Sequence, residues 1–313
     1  ASVRRHGQRQ HEVGREQLAP LGLADLAQAP VVERGPEAPA PRVARPPLQF
    51  VRGTQRVLAL PLLAGHVVDG ALVPRSVTSL LHEYSTPFEA SRALACMKRG
   101  AEWEAKREAM EQQGLGTSDE EITERWRRNG EIHSKRGQLL HHHAELLLNG
   151  VEVEEPHSPE FKQAKAIDHA LLLRGLTPHR TEQCIFHCGL RVAGQIDALF
   201  LDRDWKLVIV DWKRVHDLRT AGFNPLRYPL DHLPDTNYWM YALQVNLYRY
   251  ILETEYRLCV SGMYLAVAHP ELSSPRLVEV PRLEQEMHAL QEYEIEQGRA
   301  VNSAARLDSP FSL

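Results

Sequence analysis

Two strand-like segments joined by a turn constrain this chain more than any other feature. Residues 190–201 and 206–213 are dominated by large apolar and β-branched side chains, and Asp202-Arg203-Asp204 between them is a turn signal, so the spacing predicts an antiparallel hairpin. Asp197 and Asp211 then lie side by side. Because side chains alternate along a strand, Asp211 and Lys213 share a face with Leu207 and Ile209, while Val208, Val210 and Trp212 point the other way. The second strand is therefore apolar on both sides until its end, where one face turns ionic. Burying Asp211 and Lys213 there costs free energy unless the charges pair or a metal neutralises the acids.

Two carboxylates are hard oxygen ligands that suit Mg²⁺ or Mn²⁺, ions that keep further positions for water and a substrate phosphate. A neighbouring lysine can orient or help deprotonate an attacking water and offset charge on a pentavalent transition state. This is the minimum chemistry of a metal-dependent phosphodiesterase. Taken alone, Asp211-x-Lys213 is a three-residue match that most often marks a solvated strand end with a surface ion pair.

The surrounding residues add to it. Gly194-x-Ile196-Asp197 with Asp211-x-Lys213 resembles the PD-(D/E)XK nuclease superfamily in its RecB-like exonuclease branch. Upstream, Gly137-x-x-x-His141-x-x-x-Glu145 resembles the helical Gly/His/Glu motif of that branch, and downstream Gln244-x-x-x-Tyr248 resembles its Gln-x-x-x-Tyr helix. Glu182, on the strand preceding Asp197 and expected at its start, matches an acidic position of the family. The resemblance covers about residues 70–300, with the motifs in the family's order. It implies metal ligation by His141, Glu182, Asp197 and Asp211, with catalysis by Asp197, Asp211 and Lys213. Gln244 and Tyr248 brace the lysine and the DNA backbone. It also implies a restriction-endonuclease-like α/β fold, a mixed central sheet flanked by helices with a helical N-terminal wall.

The local patterns support such a chain. Ser118-Asp119-Glu120-Glu121 is a capping box opening a long helix that stops near Asn149-Gly150, on which Gly137, His141 and Glu145 recur every four residues and line one face. The adjoining His142 and His143 are expected to face solvent. Residues 57–63 and 65–73 predict a hairpin, Ser76 caps a helix, and Thr86-Pro87 starts another running to Lys98-Arg99-Gly100. In the second half, helices are expected over 158–174, 237–254 and 282–300, and strands over 181–186, 259–268 and 276–280. Residues 215–235 form a long proline-containing loop, expected to be a substrate-facing flap or a plain insertion. Gln244 and Tyr248 share a face of the 237–254 helix, where core packing is the competing explanation for the tyrosine.

Residues 1–55 are rich in Ala, Pro, Arg and Gln without a sustained period and are expected to be disordered, leaving a nuclease domain over 56–313. An arginine-bearing leader raises a mitochondrial or plastid transit segment, against which stand Glu12, Glu16, Asp25, Glu33 and Glu37. An intracellular setting, the nucleus included, is the expectation. A net charge of −4 does not advertise a nucleic-acid binder, although a nuclease cleft is acidic at its metals and basic only along a stripe. Cys96, Cys184, Cys188 and Cys259 are scattered, which disfavours an iron-sulfur cluster, and no paired Cys-x-x-Cys supports zinc. The expected partner is DNA, preferably single-stranded ends, with no membrane. A noncatalytic nucleic-acid-binding protein of the same fold and an endonuclease are the alternatives.

Overall fold

The computed structural model describes residues 75–300 in full and, between 57 and 73, the backbone of three short strands. The N-terminal extension expected to be disordered lies outside the described residues, as do residues 301–313. Strands β1 (Val57–Leu60), β2 (Gly65–Val68) and β3 (Ala71–Val73) pair antiparallel in that order. The expected hairpin is thus a three-stranded meander, its second segment divided at Asp69-Gly70, a turn-favouring dipeptide.

Strand β4 (Arg75–Ser76) leads directly into helix α1 (Val77–His82), where Ser76 and Ser79 exchange cap hydrogen bonds of 2.8 and 2.9 Å. Helix α2 (Ala90–Arg99) begins later than Thr86-Pro87 predicted. The reason is a tertiary tie: the Ser85 hydroxyl and the Thr86 amide both donate to the Asp235 carboxylate, at 2.9 and 2.8 Å. Helix α3 (Trp103–Gln112) follows, then the long α4 (Asp119–Asn149), capped by Ser118 and Glu121 and closed by Gly150 at φ 71°. Val77, Leu80 and Leu81 of α1 pack on one face of the central sheet and Leu140 and Ala144 of α4 on the other, so these N-terminal helices flank it on both sides. Helix α5 (Pro159–Leu173) starts from a Ser158 cap with proline at its tolerated first position.

The core is a mixed six-stranded sheet flanked by helices, the expected α/β class. Its remaining strands are β5 (Thr177–His187), β6 (Val192–Leu201), β7 (Leu207–Lys213), β8 (Val260–Val267) and β9 (Arg276–Glu279). The order is β4-β6-β7-β8-β9, with β5 also paired to β6. Helix α6 (Asn237–Thr254) crosses between the parallel pair β7 and β8, and α7 (Glu284–Glu296) closes the described chain. Alternation divides the apolar side chains as the hairpin predicted. Leu207 and Ile209 join the core under α1, α6 and α7, whereas Val208, Val210 and Trp212 join the one under α4 and α5.

The sheet forks at β6. Strand β5 pairs with β6 along nearly its whole length and so occupies one edge. Strands β4, at Val192 and Ala193, and β7, from Ala198 onward, must share the other. Residues 194–197 lie between them, where the central strands part. The alternation of β6 also reverses there: Ile196 and Leu199, an odd number of residues apart, both face the first core. Asp197 sits at the reversal.

Two expectations need correction. Residues 215–235, expected as a flap or a plain insertion, are anchored to the fold: Leu226, Leu230 and Leu233 are buried in the core, Arg227 N donates to Tyr84 O at 2.8 Å, and Pro225 and Pro234 form a bridge. Once three leucines are removed from water, the segment is part of the packing that covers the sheet. His143 does not face solvent; it is buried with its ring edge-on to Phe161, while the adjoining His142 is exposed. Elsewhere, Glu294 of α7 is fully buried and accepts from Arg75 at 2.6 Å, Tyr84 at 2.5 Å and Arg299 at 2.8 Å, which fastens α7 to β4 and α1. No helix among the described residues is long and apolar enough to cross a membrane.

Candidate active site

Helix α4 carries His141 to the fork, and its Nδ1 lies 3.3 Å from Asp197 Oδ1. The other carboxylate oxygen of Asp197 accepts the Trp212 backbone N–H at 2.8 Å, so the side chain bridges the gap between β6 and β7. Across β5 and β6, Thr181 pairs with Ala198 and Gln183 with Ile196, which sets Glu182 opposite Asp197. Glu182 is therefore within β5, not at its start. It has φ 50°, a left-handed conformation that a non-glycine residue adopts at a cost of roughly 1–2 kcal/mol. Gln195 Nε2 donates to Glu182 Oε2 at 2.6 Å and fixes the carboxylate.

One donor atom each from His141, Glu182 and Asp197 lies within 4.8 Å of the others. His141 and Glu182 open onto a groove of about 620 Å³ whose wall includes Gly137, His141 and Glu145 of α4, with Glu182 and Gln195 opposite. A methyl on Gly137 would meet nothing within 4 Å, so that glycine keeps the groove wide and is not a packing requirement. Asp211 is not one of the donor trio; its Oδ2 is 2.7 Å from Lys213 Nζ, and both side chains are largely buried.

Lys213 is held on three sides. Beyond Asp211, it donates to Gln244 Oε1 at 2.9 Å and lies 4.6 Å above the Tyr241 ring. Gln244 Nε2 in turn lies 3.0 Å from the Tyr248 hydroxyl and 3.3 Å from Thr78 Oγ1. The Gln-x-x-x-Tyr spacing thus places both side chains on the face of α6 that meets the end of β7. The glycine of Gly194-x-Ile196-Asp197 has a steric reason: a Cβ there would come 2.6 Å from Tyr248 Cε1 and 3.1 Å from Val77 Cγ2. Tyr248 rests directly against the backbone of β6.

The electrostatics separate the acids. Burial pushes the Glu182 carboxyl up to about 7, and the nearby Asp197 charge adds to the rise. Burial likewise raises Asp211 to about 6, against the pull of Lys213. Asp197 pays the same desolvation penalty but is held below the usual carboxylate range by His141, Lys213 and the Trp212 N–H. Burial lowers His141 and Lys213, and their carboxylate neighbours more than reverse it, so both stay above their ordinary values.

Two carboxylates crowded together at this depth, one of them forced towards its neutral form, suit a cation that would restore both charges. Oxygen-dominated donors with one imidazole are compatible with a divalent metal. Sequence reasoning missed Gln195, Thr78 and Tyr241. Tyr241 was discoverable, since positions 237, 241, 244 and 248 recur on one helix face. The roles of Gln195 and Thr78 depend on strand register and on α1 and carry no local signal.

No protein-family model matches the chain, and no curated protein matches its sequence. The solved structures that share limited similarity with it include the following two. A candidate exonuclease from Eubacterium rectale is 14% identical with a TM-score of 0.32, over 55% of this chain and 74% of that one. The structure of SSO0001 is 14% identical with a TM-score of 0.23, over 56% of this chain and 95% of that one. At these scores neither bears on function, which must be argued from the geometry.

Proposed function

We propose that this protein is a metal-dependent nuclease of the RecB-like PD-(D/E)XK type that hydrolyses DNA phosphodiester bonds, acting from single-stranded ends. One observation carries the reading: a His141, Glu182 and Asp197 donor cluster stands beside a buried Asp211–Lys213 pair at the fork of a mixed sheet.

His141, Glu182 and Asp197 would hold Mg²⁺ or Mn²⁺, with Asp211 beside them. When bound, such an ion polarises a phosphoryl oxygen and lowers the pKa of a water. Asp197, the most readily ionised of these acids, provides a permanent negative charge at the site. Lys213 keeps its proton, because two carboxylates face it. It therefore acts as an ammonium donor, orienting the nucleophilic water and offsetting charge on the phosphorane, and not as a base. Gln244 fixes the lysine's direction through its carbonyl oxygen, and Tyr248 fixes Gln244.

The test uses end-labelled linear and covalently closed circular single-stranded DNA, with Mg²⁺ and with EDTA. The expected result is progressive shortening of the linear strand in Mg²⁺, survival of the circle, and no cleavage in chelator. Activity should also fall as salt rises, since backbone contacts supply the affinity. Rapid cutting of circles would replace the exonuclease with an endonuclease. Full activity in EDTA would overturn the metal chemistry itself.

A further inference from the structure

Phe223 is the most solvent-exposed large apolar residue among those described, at 106% of its reference exposure. Such exposure usually belongs to a free loop tip, but here the backbone on both sides is fixed. Asn224 O accepts Asp235 N at 2.8 Å, Leu226 N donates to Leu233 O at 2.9 Å, and a Cβ on the preceding Gly222 would lie 2.7 Å from Thr236 Cγ2. Asp235 is itself held by Ser85 and Thr86, and Leu226, Leu230 and Leu233 anchor the lobe in the core. A rigid backbone therefore presents a phenyl ring to water, forgoing the roughly 1.5–3 kcal/mol that burying it would return.

The lobe is attached to the first turn of α6. Asn237 takes Arg219 N at 2.9 Å and gives to Asp217 O at 2.7 Å, while Trp239 Nε1 donates to Thr220 O at 3.0 Å. One turn along, about 6 Å at the helical rise, Tyr241 lies under Lys213. Arg219, Phe223 and Tyr228 are all exposed on this one segment, interleaving cationic and aromatic side chains. That combination suits single-stranded nucleic acid, in which any base offers a π-face for stacking and the phosphates meet the arginine.

We infer that Phe223 is a stacking platform for an unpaired base of the substrate, placed beyond the catalytic lysine to seat the strand leading into the groove. The inference rests on the nuclease reading and deepens it. The test measures binding of a fluorescein-labelled oligothymidylate and of a fully abasic strand of equal length, in Ca²⁺, to the parental chain, Phe223→Ala and Phe223→Trp. Thermal unfolding should be the same for all three, because the ring packs on nothing.

Expected is an affinity loss of about 5- to 100-fold for Phe223→Ala on oligothymidylate, retention in Phe223→Trp, and no loss on the abasic strand. Equal oligothymidylate binding by the parental chain and Phe223→Ala, with Mg²⁺-dependent cleavage intact, overturns the platform and leaves the nuclease reading standing. An equal loss on the abasic strand also overturns it, because backbone contact alone would then explain the effect. A parental chain that neither binds nor cleaves single strands removes both readings.

Discussion

Glu182 and Asp197 face one another across β5 and β6 at the one residue of β5 with a left-handed backbone. The strained conformation turns the Glu182 carboxylate towards a second acid, and burial together with that neighbour raises it to about 7. Conformational and electrostatic cost are concentrated at the same pair, the pattern expected where a site is built at the expense of stability.

Metal binding should therefore be steeply pH-dependent. In the metal-free protein Glu182 and Asp211 hold their protons to about 7 and about 6, so their contribution favours the folded state on the acid side and is lost as pH rises through those values. Asp197 lies on the opposite side, its pKa depressed, and is already ionised across this range. The Mn²⁺-induced rise in Tm should be small at pH 5.5 and grow towards pH 8. A rise independent of pH would show that these acids do not meet the ion.

Glu182→Gly should separate strain from function. Glycine accepts φ 50° without penalty and deletes the crowded carboxylate, so metal-free stability should increase by about 1 kcal/mol in urea titration. Its stabilisation by Mn²⁺ should shrink and cleavage should fall. A less stable variant would mean that the Gln195 contact outweighs the backbone strain.

Lys213→Ala should reduce cleavage by roughly 10²- to 10⁴-fold, the range for losing a group that acts in the transition state. DNA affinity in Ca²⁺ should stay near the parental value, whereas Asp197→Ala should also weaken Mn²⁺ binding measured by calorimetry. Parental rates in Lys213→Ala would exclude β7 from the chemistry.

Gly194→Ala should destabilise by about 1–3 kcal/mol, the range for overpacking, because the added methyl collides with Tyr248 and Val77. Combined with Tyr248→Ala, the cost in urea midpoint should be less than the sum of the two single changes. Strict additivity would mean that the ring does not rest on β6.

Glu294→Gln should lower stability at neutral pH, since Arg75 would lose its buried partner. Burial raises the Glu294 carboxyl, but Tyr84, Arg75 and Arg299 more than compensate, so its pKa is depressed. Its contribution is present above the ordinary carboxylate range and disappears as pH falls through the depressed value. Parental and variant Tm should converge in acid.

What could be read from the sequence was what is local. The Asn237–Thr254 bounds of α6, the Ser76 and Ser118 caps, the Gly150 stop and the two faces of β7 all follow from residues within a few positions of one another. The left-handed Glu182 carries no such mark, because its conformation is imposed by neighbouring strands. The delayed start of α2 and the anchoring of residues 215–235 depend on the contact of Asp235 with Ser85 and Thr86, far away in the chain. The pairing of Asp211 with Lys213 was open to the sequence, but its burial and its brace by Gln244 required the fold.

The fork at β6 has a consequence for when the proposed chemistry could begin. His141 comes from α4, Glu182 from β5, Asp197 from β6, Lys213 from β7 and its brace Tyr248 from α6, so no contiguous fragment shorter than that span contains the whole arrangement. A chain still emerging from the ribosome, or one nicked and parted between His141 and Tyr248, would hold acids and a lysine that never meet. On the nuclease reading proposed above, a centre distributed in this way is idle until the sheet has closed, and a single proteolytic cut followed by separation of the pieces would make it idle again.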